Sequence, residues 1–289
     1  MKRIIITATD DGYAELTLDL LRSLHQWEAP LADAIGVLDV GMSVGTREQI
    51  GRYVNTIVEP GWDFDLSPTL REQRPHLRAL LARPMLRDYF PGYDRYLWLD
   101  SDMWVQERFA VEWYFAAAAH GAMALVPSYD PSYNYHSSHI EWRQSYLSGY
   151  FGDDALQLYL TNHYYNAGAF CLGANAIHWT MWADYFRQAL SQKPTAVCDQ
   201  AVLNYMIWKE HPPIHPLPSR CNWLCQYRIP SFQLPEGHYH NPHIPNLPIG
   251  IMHLAGRSKN FHINLHNNNQ SVDFNLRFGS IKNALNTAT

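Results

Sequence analysis

The chain has 289 residues, of which 47% are hydrophobic and 17% charged, with a net charge of −5 at pH 7. These proportions are those of a globular protein with a sizeable core and exclude a disordered or membrane-embedded chain. The acidic balance and a pI near 6.3 argue against a general nucleic-acid or anionic-membrane surface, so any phosphate site must be local.

No apolar run reaches the ~20 residues of a membrane helix, and the opening residues turn polar at Thr7 before a signal-peptide core forms. A cytoplasmic chain without a membrane span is expected; peripheral work at a membrane stays compatible with it. Cys171, Cys198, Cys221 and Cys225 read as reduced and mostly buried. Cys221 and Cys225 lack the second pair a zinc site needs.

In chain order, residues 2–8 form a β-branched opening strand, and residues 9–13 a turn with helix-capping residues. Leu16, Leu20, Leu21, Leu24 and Trp27 then recur at helical spacing. A second strand over 35–40, a short helix over 46–53 and a third strand over 55–58 complete a doubly wound β-α-β-α-β pattern. Residues 76–89 read as a helix interrupted at Pro84.

The next strand, residues 96–99, is apolar throughout and stops at Asp100-Ser101-Asp102. Open α/β sheets bind ligands beyond the carboxyl ends of their strands, and a period of two points both carboxylates to one side. Such a pair holds an ion or a substrate, or else caps a helix or closes a turn.

A helix over 109–120 and a strand over 122–126 follow. Residues 128–152, rich in Tyr, His, Ser and Trp, read as a long loop or lid. A buried strand is expected over 164–173, helices over 176–192 and 198–209, proline-rich surface-wrapping chain with short β pieces over 211–248, and a late strand over 249–254. The Asn-rich stretch 267–270 reads as a loop. The whole chain, 1–289, is expected to be one domain: a nucleotide-binding half (1–127), an acceptor and donor-sugar half (128–261) and a tail (262–289).

Taken in order, Asp10-Asp11-Gly12-Tyr13 after the opening strand, Leu99-Asp100-Ser101-Asp102, Asn166-Ala167-Gly168, Asp199-Gln200, and a His253-Leu254-Ala255-Gly256 run closed by Lys259 resemble the family 8 glycosyltransferases. The resemblance spans residues 3–261, and the ordered set carries it rather than any one motif.

It implies an α/β protein of the GT-A fold, Rossmann-like, with a mixed, mainly parallel central sheet flanked by helices and an irregular C-terminal extension. It also implies retaining transfer of a hexose from a UDP-sugar to a hydroxyl of a glycan, glycolipid or protein, with Mn²⁺ or alternatively Mg²⁺. By the same resemblance, Asp100, Asp102 and His253 hold the metal, a mixed oxygen and imidazole set that suits Mn²⁺. Thr7, Ala8, Asp10, Asp11 and Tyr13 form the uridine turn, and Asp100 with Ser101 meets the nucleotide. Asn166, Ala167 and Gly168 face the donor sugar, Asp199 and Gln200 lie beneath its anomeric carbon, and Gly256 and Lys259 face the diphosphate. A sugar-contacting arginine is Arg78 or Arg83, with Arg78 the first choice.

Two departures stand out: Asn260-Phe261 where the family often has Pro-Trp, and Gly12 in place of a polar residue. Tyr129, Tyr133, Tyr135, His136 and Trp142 offer faces for an acceptor sugar. Two other readings share the fold type. A sugar-1-phosphate nucleotidyltransferase would carry a glycine-rich basic loop after the first strand, which residues 7–13 lack. A non-catalytic nucleotide-sugar or carbohydrate-binding protein would bind without turnover.

Overall fold

The computed structural model describes residues 1–233, 237–267 and 270–280, with the side chains of 264–273 left undescribed. Its first part runs β1 (Arg3–Thr9), α1 (Ala14–Leu24), β2 (Ala34–Asp39), α2 (Val44–Gly51), β3 (Thr56–Val58), α3 (Pro68–Gln73), α4 (Leu77–Ala82), α5 (Leu86–Tyr89), β4 (Arg95–Leu99), β5 (Met103–Val105), α6 (Arg108–Ala117) and β6 (Met123–Pro127). The second part runs α7 (Ser137–Thr161), β7 (Tyr165–Gly173), α8 (His178–Gln192), α9 (Asp199–Glu210), β8 (Ile214–Pro216), β9 (Trp223–Leu224), β10 (Ser231–Gln233), β11 (His238–His240), β12 (Ile251–His253), β13 (His262–Asn267) and β14 (Gln270–Asn275).

The main sheet has seven strands in the order β3-β2-β1-β4-β7-β6-β8. The first four are mutually parallel, β7 runs antiparallel to both its neighbours, and β8 is parallel to β6. The sheet is therefore mixed and mainly parallel. Its strands are apolar on both faces because helices cover both.

Alternation along β1 and β4 sends Ile4, Ile6 and Trp98 into a core that α8 fills with Trp179, Trp182 and Phe186. Ile5, Leu97 and Leu99 go to the opposite face, where α1 and α6 supply Leu20, Leu21 and Tyr114. Truncating Trp98, 1% exposed, would cost about 3–5 kcal/mol.

A second sheet, β5-β12-β9, forms a third core with Trp104, Trp223, Met252 and Tyr239. Residues 211–248 therefore do more than wrap the surface, for Cys221, Trp223 and Leu224 are buried. All four cysteines are free and buried.

Two expectations are corrected and one element is new. The loop expected over 128–152 is helical from Ser137, and the helix bends where Gly152 takes φ +70°. Trp142, Tyr146 and Tyr150 recur every fourth residue and touch in sequence, edge-on and then tilted, with centroids 5.2 and 5.9 Å apart. That is a helical stripe that composition alone disguised. Helix α3 was not anticipated: Ser67 caps it by accepting from the Leu70 N–H at 3.3 Å, and Pro68 opens its first turn. Where an Asn-rich loop was expected, β13 and β14 pair antiparallel; Asn268 and Asn269 lie outside the described residues, as do residues 281–289 of the expected tail.

Candidate active site

Strand β4 delivers Asp100 to the carboxyl edge of the sheet, where its backbone N–H donates to the Gly168 carbonyl at 2.8 Å. The chain turns through Ser101 and Asp102 and returns as β5, which pairs antiparallel with β12 so that Met103 faces His253. The Leu254 N–H donates to the Asp102 carbonyl at 2.8 Å. His253 Nε2 thereby lies 3.3 Å from Asp102 Oδ1 and 4.0 Å from Asp100 Oδ2. The three side chains each offer one ligand atom within 4.8 Å of the others.

His253 Nδ1 lies 2.8 Å from Asn222 Oδ1, whose own Nδ2 donates to Asn166 Oδ1 at 2.9 Å. Asn166 Oδ1 also accepts the Gly168 N–H at 2.9 Å. This chain assigns Asn222 Oδ1 as acceptor and the imidazole proton to Nδ1, which leaves the Nε2 lone pair aimed at two carboxylates. A lone pair facing carboxylates repels them unless a cation lies between or a proton is taken up. Asp102 Oδ1 is buried with no hydrogen-bond partner among the described residues.

Gly168 completes the cradle: a Cβ there would stand 2.6 Å from His253 Cε1 and 2.7 Å from Asp100 Oδ2. Two carboxylates, an oriented imidazole, an orphaned oxygen and room kept by a glycine fit a divalent cation.

Charge is balanced locally. Lys259 Nζ lies 2.6 Å from Asp102 Oδ2 and 5.4 Å above the Tyr13 ring. Burial opposes ionisation of Asp102, but Lys259, joined by His253 whenever that ring takes up a second proton, outweighs it and holds the carboxyl below its ordinary range. Burial likewise works against the Lys259 charge, and Asp102 reverses that effect.

Arg83 is 5% exposed and donates to Asp100, Asp199 and the Ala167 carbonyl, while its guanidinium lies 4.8 Å from the Trp98 ring centre. Burial would lower its basicity; the two aspartates more than restore it. Gln200 Oε1 accepts from Asn166 Nδ2 and the Ala167 N–H, both at 3.1 Å.

The other named residues divide clearly. A cavity of about 400 Å³ is lined by Ala8, Asp10, Tyr13, Arg83, Trp98, Asp100, Ser101 and Asp102, a volume in the range of small-molecule sites. Thr7 is buried in β1 behind it. Asp10 Oδ1 accepts the Tyr13 N–H at 3.0 Å, and Asp11 Oδ1 the Ser43 N–H at 2.8 Å, so both brace turns. Gly256, at φ +58°, opens the short turn that carries Lys259, and a Cβ there would meet Gln226 Oε1 at 2.5 Å.

Arg78, the first choice from the sequence, pairs with Glu59 at 2.9 Å and does not line this cavity; the arginine in the cluster is Arg83. Of the aromatic residues, Tyr133 is core, while Tyr129, Tyr135 and Trp142 are exposed. Sequence reasoning missed Asn222, because it lies in a stretch without periodicity and acquires meaning only through His253.

By sequence, no family model and no curated protein matches the chain. By structure, it superposes on galactosyltransferase LgtC in complex with donor and acceptor sugar analogues, at 18% identity over 88% of each chain with a TM-score of 0.54. An active-site mutant of LgtC gives 18% identity, 88% of this chain and 87% of that one, and a TM-score of 0.56. The glycosyltransferase GlyE of Streptococcus pneumoniae gives 16% identity over 94% of this chain, with a TM-score of 0.51; the match spans 58% of the GlyE chain. The mixed sheet, its flanking helices and these superpositions establish that the chain has the GT-A fold of these glycosyltransferases.

Proposed function

We propose that the protein is a retaining glycosyltransferase that moves a hexose from a UDP-sugar to an acceptor hydroxyl, with Mn²⁺, or Mg²⁺ in its place, held by Asp100, Asp102 and His253. The observation that carries this reading is the His253 lone pair turned toward two carboxylates at the edge of a nucleotide-sized cavity. A bound divalent ion neutralises charge on the diphosphate as the glycosidic bond breaks.

Lys259 supplies a point charge for the same diphosphate, and the bare backbone at Gly256 admits a phosphate closely. Asp10 and Tyr13 offer a carboxylate and a ring to the base. Arg83 and Asp199 brace each other beside Gly168 and orient the hydroxyls of the donor sugar.

In the transfer, the bond from C1 to the β-phosphate oxygen breaks and a bond from the acceptor oxygen to C1 forms. The acceptor proton passes to the departing phosphate. Gln200 carries an amide, which is a poor nucleophile, and Asp199 is committed to Arg83. Attack on the face the phosphate leaves is therefore favoured over a covalent glycosyl-enzyme.

The test is a panel of UDP-sugars with Mn²⁺, scored for UDP release and, in parallel, for thermal stabilisation by UDP. Release from at least one donor is expected. Stabilisation without release from any donor would favour a binding protein, and neither effect would overturn the nucleotide-sugar reading.

A further inference from the structure

Beyond Gln200, away from the donor cavity, the surroundings become cationic. Arg143, on α7, is 6% exposed, and among the described residues the groups that sustain its charge are the tyrosines Tyr227, Tyr164 and Tyr159 rather than a carboxylate. Its guanidinium lies 4.2 Å from the Tyr164 ring centre and donates to the Tyr227 hydroxyl at 3.0 Å. A buried cation without an anion is costly and normally acquires one.

Two imidazoles and a second arginine gather beside the same ring. His139 meets Tyr227 edge-on at 5.2 Å, and the His136 ring lies tilted against His139 at 6.0 Å. Arg257, exposed two residues before Lys259 on the same turn, lies within electrostatic reach of His139. The buried Nδ1 of His139 has no hydrogen-bond partner among the described residues. Asp130, which faces the neighbouring Tyr135, is already engaged by the hydroxyls of Ser132 and Ser219.

Arg257, His136 and Tyr135 are exposed, so a ligand reaches the cluster from solvent while Arg143 supplies charge from beneath. The Tyr164 hydroxyl faces Gln200 without closing a hydrogen bond, which links the cluster to the candidate reaction face.

We propose that Arg143, His139, His136 and Arg257 form a subsite for an anionic acceptor: a saccharide whose phosphate or carboxylate lies close to the hydroxyl that is glycosylated. The acceptor role rests on the glycosyltransferase reading; the anion binding does not. The two arginines and the histidine N–H groups match the oxygens of such a group, and Tyr135 and Tyr227 offer faces to the C–H side of the sugar.

The experiment is calorimetric titration of the full chain, at fixed ionic strength, with glucose, glucose 6-phosphate and glucuronate. At least one charged sugar is expected to bind about tenfold or more tightly than glucose, the scale of a charge-assisted contact. Arg257→Gln and His139→Gln should each remove most of that advantage and leave UDP affinity in Mn²⁺ unchanged. Which charged sugar gains decides between phosphate and carboxylate. Equal binding of all three sugars, or an advantage that survives both substitutions, would overturn the proposal. A wild-type protein that prefers the charged sugar yet ignores UDP and Mn²⁺ would keep the anion site and sink only the transferase reading.

Discussion

Asp102 divides its carboxylate between a lysine and an imidazole, with Oδ2 2.6 Å from Lys259 Nζ and Oδ1 3.3 Å from His253 Nε2. One side chain thus couples the candidate metal cluster to the lysine proposed to receive the leaving group. Asp102→Asn removes the charge that Lys259 and a bound cation need while its backbone carbonyl still accepts from Leu254. Mn²⁺-dependent UDP binding should weaken by about 100-fold, in line with the loss of a metal ligand or its orienting partner. Calorimetry with UDP in Mn²⁺ reads this directly, and an unchanged affinity would refute the metal assignment.

Lys259→Ala should act on turnover more than on binding. Stabilisation of a departing phosphate grows as its charge develops, so kcat is expected to fall by about 10²–10³ while UDP affinity changes far less. Steady-state UDP release with saturating donor measures it. An unaltered kcat would remove the lysine from the leaving-group role.

Gly168→Ala tests the cradle sterically. The new methyl would fall within 2.7 Å of both His253 Cε1 and Asp100 Oδ2, and neither group is free to retreat. Mn²⁺ affinity should drop at least tenfold, and stability should fall by about 1–3 kcal/mol, the usual cost of overpacking. Mn²⁺ titration followed by thermal melting separates the two effects. Full-strength Mn²⁺ binding in this variant would show that the ion does not use the space.

The acid limb of stability is expected to involve His178, far from the site. Its ring is fully buried, and burial, opposed only in part by the Pro213 backbone, brings its pKa down from 6.5 to about 4. The start of α8 is also a poor place for a positive charge. Between those two values the unfolded chain binds the proton and the folded chain does not. Stability is therefore intact above pH 6.5 and declines as pH falls toward 4, by about 3 kcal/mol from this residue alone. His178→Phe should flatten that portion of a urea-denaturation pH profile; an identical slope would exclude His178 as its origin.

Much of the architecture was legible because strand and helix periodicities differ so plainly over residues 2–58, and because an apolar run that ends in two carboxylates has few placements in an open sheet. Arg83 was harder to choose over Arg78. Both are in the helical stretch before β4, where a five-residue offset puts them on different sides of the helix, and Arg83 is the one that turns inward between Asp100 and Asp199. A buried arginine is recognised by its counterions, and those come from β4 and α9. Helix α7 escaped notice for another reason: serines, a histidine and glycines interrupt it as far as Gly152, so the helical spacing of Trp142, Tyr146, Leu147 and Tyr150 is diluted in the sequence.

The pairing of β5 with β12 also bears on the order in which the chain can mature. As the protein leaves the ribosome, β1 to β4 emerge first and can begin their parallel ladder, yet β7, the partner of β4 on its other side, comes later and His253 later still. Non-local pairings of this kind form slowly. Until β12 docks, Asp100 and Asp102 lack the histidine and Asp102 lacks Lys259, so a nascent or truncated chain presents two carboxylates and no assembled site. Chemistry at this centre is thereby deferred until the C-terminal third of the domain has folded.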